Sequence, residues 1–440
     1  MPLADPPALD GPSWMNERRT ASRQALAEAR WPTSRDEVWR YSRIDEFDRD
    51  RFTPARRSGV VDAGVGRSLS EQVHALAGEF GPRSALLVTL DGVLTTVSST
   101  LAGDVAYIGK LADSSDGEVL IASTVGGAKD FVLMNDVECI DPLLIDVGEG
   151  CNIADPVVVI HVVTGEEGSA TFPRTVVRVK AGGRLALVEA VVDVHSPLLR
   201  PTSTNVLATP PGERMVAPVT ELVLDENATL DYVGIQSLSG ATWQFAHQSS
   251  RIDAGAVMRS FVVALGGNYA RLRTDSLLMG QGGRSELRAA FIGRDDQMLD
   301  FRTLQDHAAP KTVSDLLFMG AVTDRAHSVY SGLIRVRNGA VKSDARQTNH
   351  NLVLNEGAHA DSVPNLDILE NDVACSHGST VGPVDEDQLY YLASRGIEPG
   401  EAERLIVGGF FASIAEQTPV AGTQALIARA LAARTELAHD

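Results

Sequence analysis

From about residue 83 to 384 the chain is a succession of short apolar runs broken by one recurring turn, and this recurrence constrains the fold more than any other feature. Runs such as SALLVTL (84–90), DPVVVIHVVTG (155–165), RTVVRVKAGGRLALVEAVVDV (174–194), TELVLDENATLDYVGIQSL (220–238) and RIDAGAVMRSFVVALGG (251–267) are rich in Val, Ile, Leu and Thr. β-branched residues suit a pleated surface, and the interrupting Gly, Asn and Asp accept the backbone angles of tight turns, so the texture reads as strands joined at corners. The turn returns as KAGG at 180, DENA at 225, DAGA at 253, GQGG at 280, RNGA at 337 and NEGA at 355. Successive starts are separated by about 45, 28, 27, 57 and 18 residues, so two gaps agree near 27 and one is about double. Such spacing predicts a solenoid in which each coil buries its inward side chains on the next, and it allows one elongated domain of unusual size. The rival architecture, a pair of β-sandwiches, needs regular Asn-Gly or Asp-Gly hairpins, for which RNGA at 337 and LDGV at 90 are the few candidates.

The flanks have a different texture. SWMNERRTASRQALAEAR (13–30) consists of helix formers and follows DGPS, whose serine is placed to cap a helix. WPTSRDEVWRYSRIDEF (31–47) reads as an ordered connector in which Trp39 and Tyr41 pack, and RSLSEQVHALAGEFG (67–81) as a second helix. Beyond residue 384 the pattern is helical. Asp385 with Gln388 has the form of a capping box, Leu389, Tyr390 and Leu392 make an apolar stripe, and Gly396 stands where a left-handed terminal residue is wanted. EPGEAERLIVGGFFASIAEQ (398–417) starts a helix near Pro399 with Glu401 and Glu403 at its positive end. GTQALIARALAARTELA (422–438) sets Leu426, Ile427, Ala430, Leu431 and Leu437 on one face, with Arg429 and Arg434 off it. The expected division is an N-terminal helical region and connector over 1–82, a β core over 83–384 and a C-terminal helical domain over 385–440.

Fifty-eight acidic against 39 basic residues give a net charge of −19, which argues against binding nucleic acid or an anionic membrane, because both need a basic surface. MPLADPPALDGPSW has neither a basic start nor an apolar core of a leader, and no apolar run approaches the roughly 18–20 residues of a membrane span, so a cytoplasmic protein is expected. Cys139, Cys151 and Cys375 are three cysteines without CxxC spacing, which supports neither a disulfide framework nor a zinc ribbon and fits a reducing compartment. The glycine clusters DAGVGRSLS (from 62) and TVGGAKD (from 124) lack the spacing and Lys-Ser/Thr ending of a phosphate-binding loop, and G-x-S-x-G, H-E-x-x-H and G-x-G-x-x-G are missing. Nothing here predicts an enzyme.

The chemistry-bearing stretch is NDVACSHGSTVG (371–382). If it is a strand, Cys375 and His377 stand at i and i+2 and point to one face, within about 7 Å of each other. A thiolate and an imidazole there suit iron, zinc or copper, and two ligands from one chain leave coordination positions for another. Two other readings compete: a cysteine packed as a small hydrophobe beside a backbone-bonded histidine, and a Cys-His nucleophile, for which same-strand neighbours are poorly aligned. His350 and His359 lie on preceding strands and approach the pair if coils stack, though each alone reads as a turn or core histidine. Cys139 and Cys151 read as structural thiols. A solenoid can also display a carbohydrate site, but GRDDQMLDF (293–301) reads better as a solvated turn, and aromatics are only 5% of the chain, too few for a sugar platform.

VACSHGSTVGPVDEDQLYYLASRGI (373–397) with EAERLIVGGFFASI (401–414) closely resembles the C-terminal signature of the SufB/SufD family of iron-sulfur cluster assembly proteins. QTNHNLVLNEGAHADSVPNLDILENDVACSHG (347–378) resembles the family's last coils, and DEVWRYS (36–42) its N-terminal element. The Cys-Ser-His-Gly form is that of the SufD branch; SufB has Glu-His-Glu in place of Ser-His-Gly, so Gly378 stands where SufB has a glutamate, and His350 stands at a SufB cysteine. The departure counts against this chain's being the primary sulfur acceptor. The resemblance implies a right-handed parallel β-helix with helical ends, acting as a scaffold beside a SufB-like subunit and two copies of a SufC-like ATPase. It further implies that the C-terminal helices dock the ATPase through Leu389, Tyr390, Leu405, Ile406 and Phe410. Cys375 and His377, with His350 as a third candidate, would then sit at the SufB interface. No cofactor is expected to be held permanently; iron or a transient cluster would be shared with the SufB-like subunit. An exposed sheet edge also allows a homodimer when the chain is isolated.

Overall fold

The computed structural model describes residues 9–55, 63–125, 130–164, 166–199 and 212–436. The expected solenoid is what the chain forms. Two long sheets stack strand upon strand. From its C-terminal edge the first runs His359–Ile368, His327–Val336, Met298–His307, Tyr269–Leu278, Thr242–Ile252, Val219–Leu224, Arg174–Val179 and Leu143–Val147. The second runs Ala374–Gly382, Asp344–Val353, Val313–Val322, Arg284–Gly293, Val257–Ala264, Thr229–Ser237, Arg184–Asp193, Val157–Val163 and Ala85–Leu90. Every one of these neighbours is parallel. At the N-terminal end each sheet is finished by an antiparallel strand, Ala106–Lys110 on the first and Val93–Ser99 on the second.

The recurring turn marks the corner from the first sheet to the second. Gly150, Gly182, Asn227, Gly255, Gly282, Lys311 and Lys342 are stacked there with φ between 58° and 74°. Each N–H donates to a carbonyl in the next coil: Gly182 to Glu226, Asn227 to Ala254, Gly255 to Gln281, Gly282 to Pro310, Lys311 to Val341 and Lys342 to Asp372. A left-handed residue aims its N–H along the stack, so the corner continues the ladder of the sheets. The doubled gap in the sequence pattern hides a coil whose corner carries Lys311 instead of glycine, a substitution that costs about 1–2 kcal/mol in backbone conformation. NEGA at 355 belongs to the opposite corner, between Asp344–Val353 and His359–Ile368, which accounts for the short gap.

Alternate residues of each strand face the interior. One such column is Phe291, Gly320, Asn351 and Val381, joined by register. A Cβ on Gly320 would stand 2.0 Å from Phe291 Cε2, so glycine is what lets the ring fill the coil above it. Phe291, Phe301, Phe318 and Tyr330 then pack in series through the interior, the first pair tilted and the next two edge to face, with centroid separations of 4.4–5.8 Å.

The outer faces are covered by the flanks. Seven helices are described: α1 (Ser13–Glu28), α2 (Ala63–Glu79), α3 (Gly117–Leu120), α4 (Asp130–Glu138), α5 (Glu386–Ser394), α6 (Pro399–Ala415) and α7 (Gln424–Glu436). Residues of α2, α6 and α7, including Leu76, Val407, Phe411, Ile414 and Leu431, bury the outer face of the second sheet. The N-terminal segment, through Trp39, Ile44, Phe47 and Phe52, does the same for the first. Asp385 caps α5 by accepting from the Asp387 and Gln388 N–H groups, and Gly396 takes φ 80° after it, as expected. Three local expectations fail. The residue preceding α1 is Pro12, and no side chain caps that helix. Tyr41 is exposed while Trp39 is buried. Arg434 is not on the outer side of α7: it is buried and donates to Gln297 Oε1 at 2.7 Å, whereas Arg429 is on the surface against Glu79. Leu437 lies outside the described residues.

Candidate functional site

Among the described residues Ala374–Gly382 is the last strand of the second sheet and pairs on one side only, with Asp344–Val353. The register sets Cys375 beside Ala345, His377 beside Gln347, Ser379 beside Asn349 and Val381 beside Asn351. All four neighbours are buried and face the interior, so Cys375, His377, Ser379 and Val381 share that face, and among the described residues no coil covers them. Cys375 is half-buried against Ile334, Val336, Ala340 and Ala345. Burial, and next the Asp344 carboxylate, hold its thiol above the ordinary cysteine range, so it is protonated near neutral pH. His377 is exposed. Beneath it, the amide of Gln347 is buried with neither its oxygen nor its nitrogen hydrogen-bonded to the protein.

The other sheet ends beside it. His359–Ile368 is likewise paired on one side, and Ser379 Oγ donates to Ser362 Oγ at 2.7 Å across the gap between the sheets. Leu366, Ile368, Leu369 and Val381 are exposed here. Pro364, opposite Gly332, is tolerated because an edge strand needs no further N–H. The end of the solenoid is thus an apolar rim around a thiol, an imidazole and hydroxyls.

His350 is placed elsewhere. It pairs with Thr380 and so lies on the outer face, alternating with the inward Asn349 and Asn351. Within one chain it does not meet Cys375 and His377. The five residues expected to dock an ATPase divide as well. Tyr390 is 78% exposed and Leu405 48%, with Tyr391 beside them, whereas Leu389, Ile406 and Phe410 are partly buried against the apolar layer under the helices. No residue of α5 is buried.

Two constellations carry no motif in the sequence. His327, one coil below His359 in register, comes together with His359 and Asp361 on the outer face of the first sheet. The only available signal was the H-x-D spacing of 359 and 361, since the pairing register was unknown. The second is wholly buried: Arg174 bridges Asp136 of α4 and Glu221, at 2.6 Å to the latter, and Ala122 N–H donates to the same Glu221 carboxylate. This network pins α4 to the first sheet. Cys139 beside it has its thiol pushed up to about 12 by burial, which suits a structural thiol. Of the three carboxylates in GRDDQMLDF, Asp300 is buried between Arg271 and Arg302 and Asp296 pairs with Arg325, so two of them are engaged by arginines. Among the described residues no helix is long and apolar enough to cross a membrane.

The family model described as "SUF system FeS cluster assembly, SufBD core domain" matches residues 161–410, which hold most of the solenoid and both strands of its open end. The chain is 31% identical over 392 residues to a SufBD family protein of Mycobacterium tuberculosis, covering 87% of this chain and 84% of the relative. It belongs to the SufB/SufD family of iron-sulfur cluster assembly proteins. Within that family it is 28% identical over 409 residues to the iron-sulfur cluster assembly protein SufD of Escherichia coli, covering 89% and 86% of the two chains. It is also 29% identical over 215 residues to SufD of Bacillus subtilis, covering 48% of this chain and 49% of that one.

Proposed function

We propose that this chain is a SufD-type scaffold subunit, acting in the cytoplasm, that is completed by a SufB-like subunit at its open end and by a SufC-like ATPase on its C-terminal helices. The observation that carries this reading is the last coil. Its inward face, with Cys375 and His377, is left uncovered at an unprotected parallel edge, which is an invitation to strand addition. Iron or a nascent cluster is the cargo in this reading, not a resident cofactor. A thiol and an imidazole on adjacent inward positions supply two ligands, and the raised thiol pKa keeps that ligand protonated until a partner or metal displaces the proton. Tyr390, Tyr391 and Leu405 form the ATPase contact, and Leu389, Ile406 and Phe410 support it from beneath. ATP-driven movement of the ATPase would reach the open end through α5, which follows the Cys-His strand directly.

Anaerobic reconstitution with the host's SufB-like and SufC-like subunits tests this. Cys375→Ser and His377→Ala are expected to leave the complex intact and to lower its iron and sulfide content by at least ~10-fold, the scale of losing a metal-site contact. Unchanged content would make Cys375 a packed thiol and the chain a purely structural arm. Tyr390→Asp combined with Leu405→Asp is expected to remove the ATPase from a pull-down; full retention would refute the docking assignment.

A further inference from the structure

We propose that His327, His359 and Asp361 form a binding site for a divalent first-row transition metal on the outer face of the first sheet, separate from the Cys-His pair. His327 begins one strand and His359 the next, directly opposite it, and Asp361 follows two residues on, so all three project from the same face. The two imidazoles address opposite oxygens of one carboxylate: His327 Nε2 lies 2.8 Å from Asp361 Oδ2 and His359 Nε2 lies 3.4 Å from Oδ1. The rings are 5.0 Å apart by centroid, and one ligand atom from each residue lies within 4.8 Å of the others.

Two ligands held at about 2.0–2.2 Å from one ion are at most about 4.4 Å apart. The cluster therefore needs only a small inward rotation, and His359, 66% exposed, has room to make it. His327 and Asp361 are half-buried on rigid strands, so two of the three donors are already held in place. Two nitrogens and one carboxylate leave coordination positions open and select Fe²⁺ or Zn²⁺ over Mg²⁺ or Ca²⁺, which want all-oxygen shells. The site faces away from the interior, so it neither competes with nor requires the Cys375 and His377 ligands.

The test uses the untagged full chain stripped with a chelator and titrated with Co²⁺ by its d–d absorbance, followed by displacement with Zn²⁺ and, anaerobically, with Fe²⁺. One site per chain is expected, filled equally well in a Cys375→Ser/His377→Ala double variant and weakened at least ~10-fold in His359→Ala and in Asp361→Asn. The same affinity in His359→Ala as in the wild type overturns the proposal, and so does loss of the site in the Cys375→Ser/His377→Ala variant. Because His359 is exposed, its alanine variant keeps the fold, and a Zn²⁺-induced rise in Tm present in the wild type and missing from that variant is the second expected result. Displacement by Fe²⁺ or by Zn²⁺ at the lower concentration identifies which of the two ions the site prefers. Cluster yield plays no part in this measurement, so the scaffold reading and the metal site can fail separately.

Discussion

The two ends of the solenoid are finished differently. At the N-terminal end each sheet closes with an antiparallel strand, and the pairing of Ala85–Leu90 with Val93–Ser99 shifts register between Val88 and Thr89. A reversed direction and an irregular register are what keep an edge from templating another parallel coil. At the C-terminal end both sheets stop on parallel strands that no described residue caps, and Leu366, Ile368, Leu369 and Val381 are left in contact with solvent. The inward pattern of the coil continues there although, among the described residues, no further strand lies beyond it. One end is terminated; the other is built as though another coil followed.

That contrast can be measured along a single column. Phe291 and Val381 occupy register-equivalent inward positions three coils apart. Phe291 is fully buried and stacks on Phe301, so Phe291→Ala is expected to cost about 3–5 kcal/mol in urea unfolding. Val381→Ala should cost less than about 1 kcal/mol, because its side chain is already 43% exposed. Equal losses at both positions would mean that the last coil is packed as tightly as the middle and is not an open end.

Acid gives a second comparison. His307 sits inside the stack, where its ring nitrogens bond Thr312 and Ser314. Burial pushes its pKa down to about 4, against the upward pull of Asp306 and Asp344. The unfolded chain takes up this proton near pH 6.5 and the native chain only near 4, so the stability contribution is complete above 6.5 and lost as pH falls between those values. The full difference is about 3 kcal/mol at 1.36 kcal/mol per unit. His307→Gln, melted at several pH values in that window, should fall off less steeply than the wild type by this amount; parallel curves would place His307 in a wetter setting than its contacts indicate.

Much of this was legible in the sequence, for a physical reason. A solenoid repeats one local requirement, a left-handed corner every coil, and Gly182, Asn227, Gly255 and Gly282 advertise it. The corner at Lys311 could not be read, because lysine there obeys the stack and not its own preference. The pairing of Cys375 with His377 followed from strand periodicity alone. What needed register was hidden: that His350 faces outward, that His327 stands beside His359, and that Arg174 joins Asp136 to Glu221 across stretches far apart in the chain. Arg434 misled for a related reason, since the helix pattern assigns arginine to solvent and cannot foresee a buried acceptor such as Gln297.

The smallest effect on folding should accompany a loss of association. Val381→Lys sets a charge on the inward face of the last coil, where a parallel neighbour would have to bury it, while in the isolated chain the ammonium reaches water. The variant should therefore unfold within about 0.5 kcal/mol of the wild type. Burying an unpaired charge at an interface costs several kcal/mol, so binding of a SufB-like subunit, or self-association of the isolated chain, should weaken by at least ~100-fold in sedimentation velocity. Unimpaired association with unchanged stability would place the partner on some other surface, and the exposed rim of Leu366, Ile368 and Val381 would then need a different explanation from an unfinished coil.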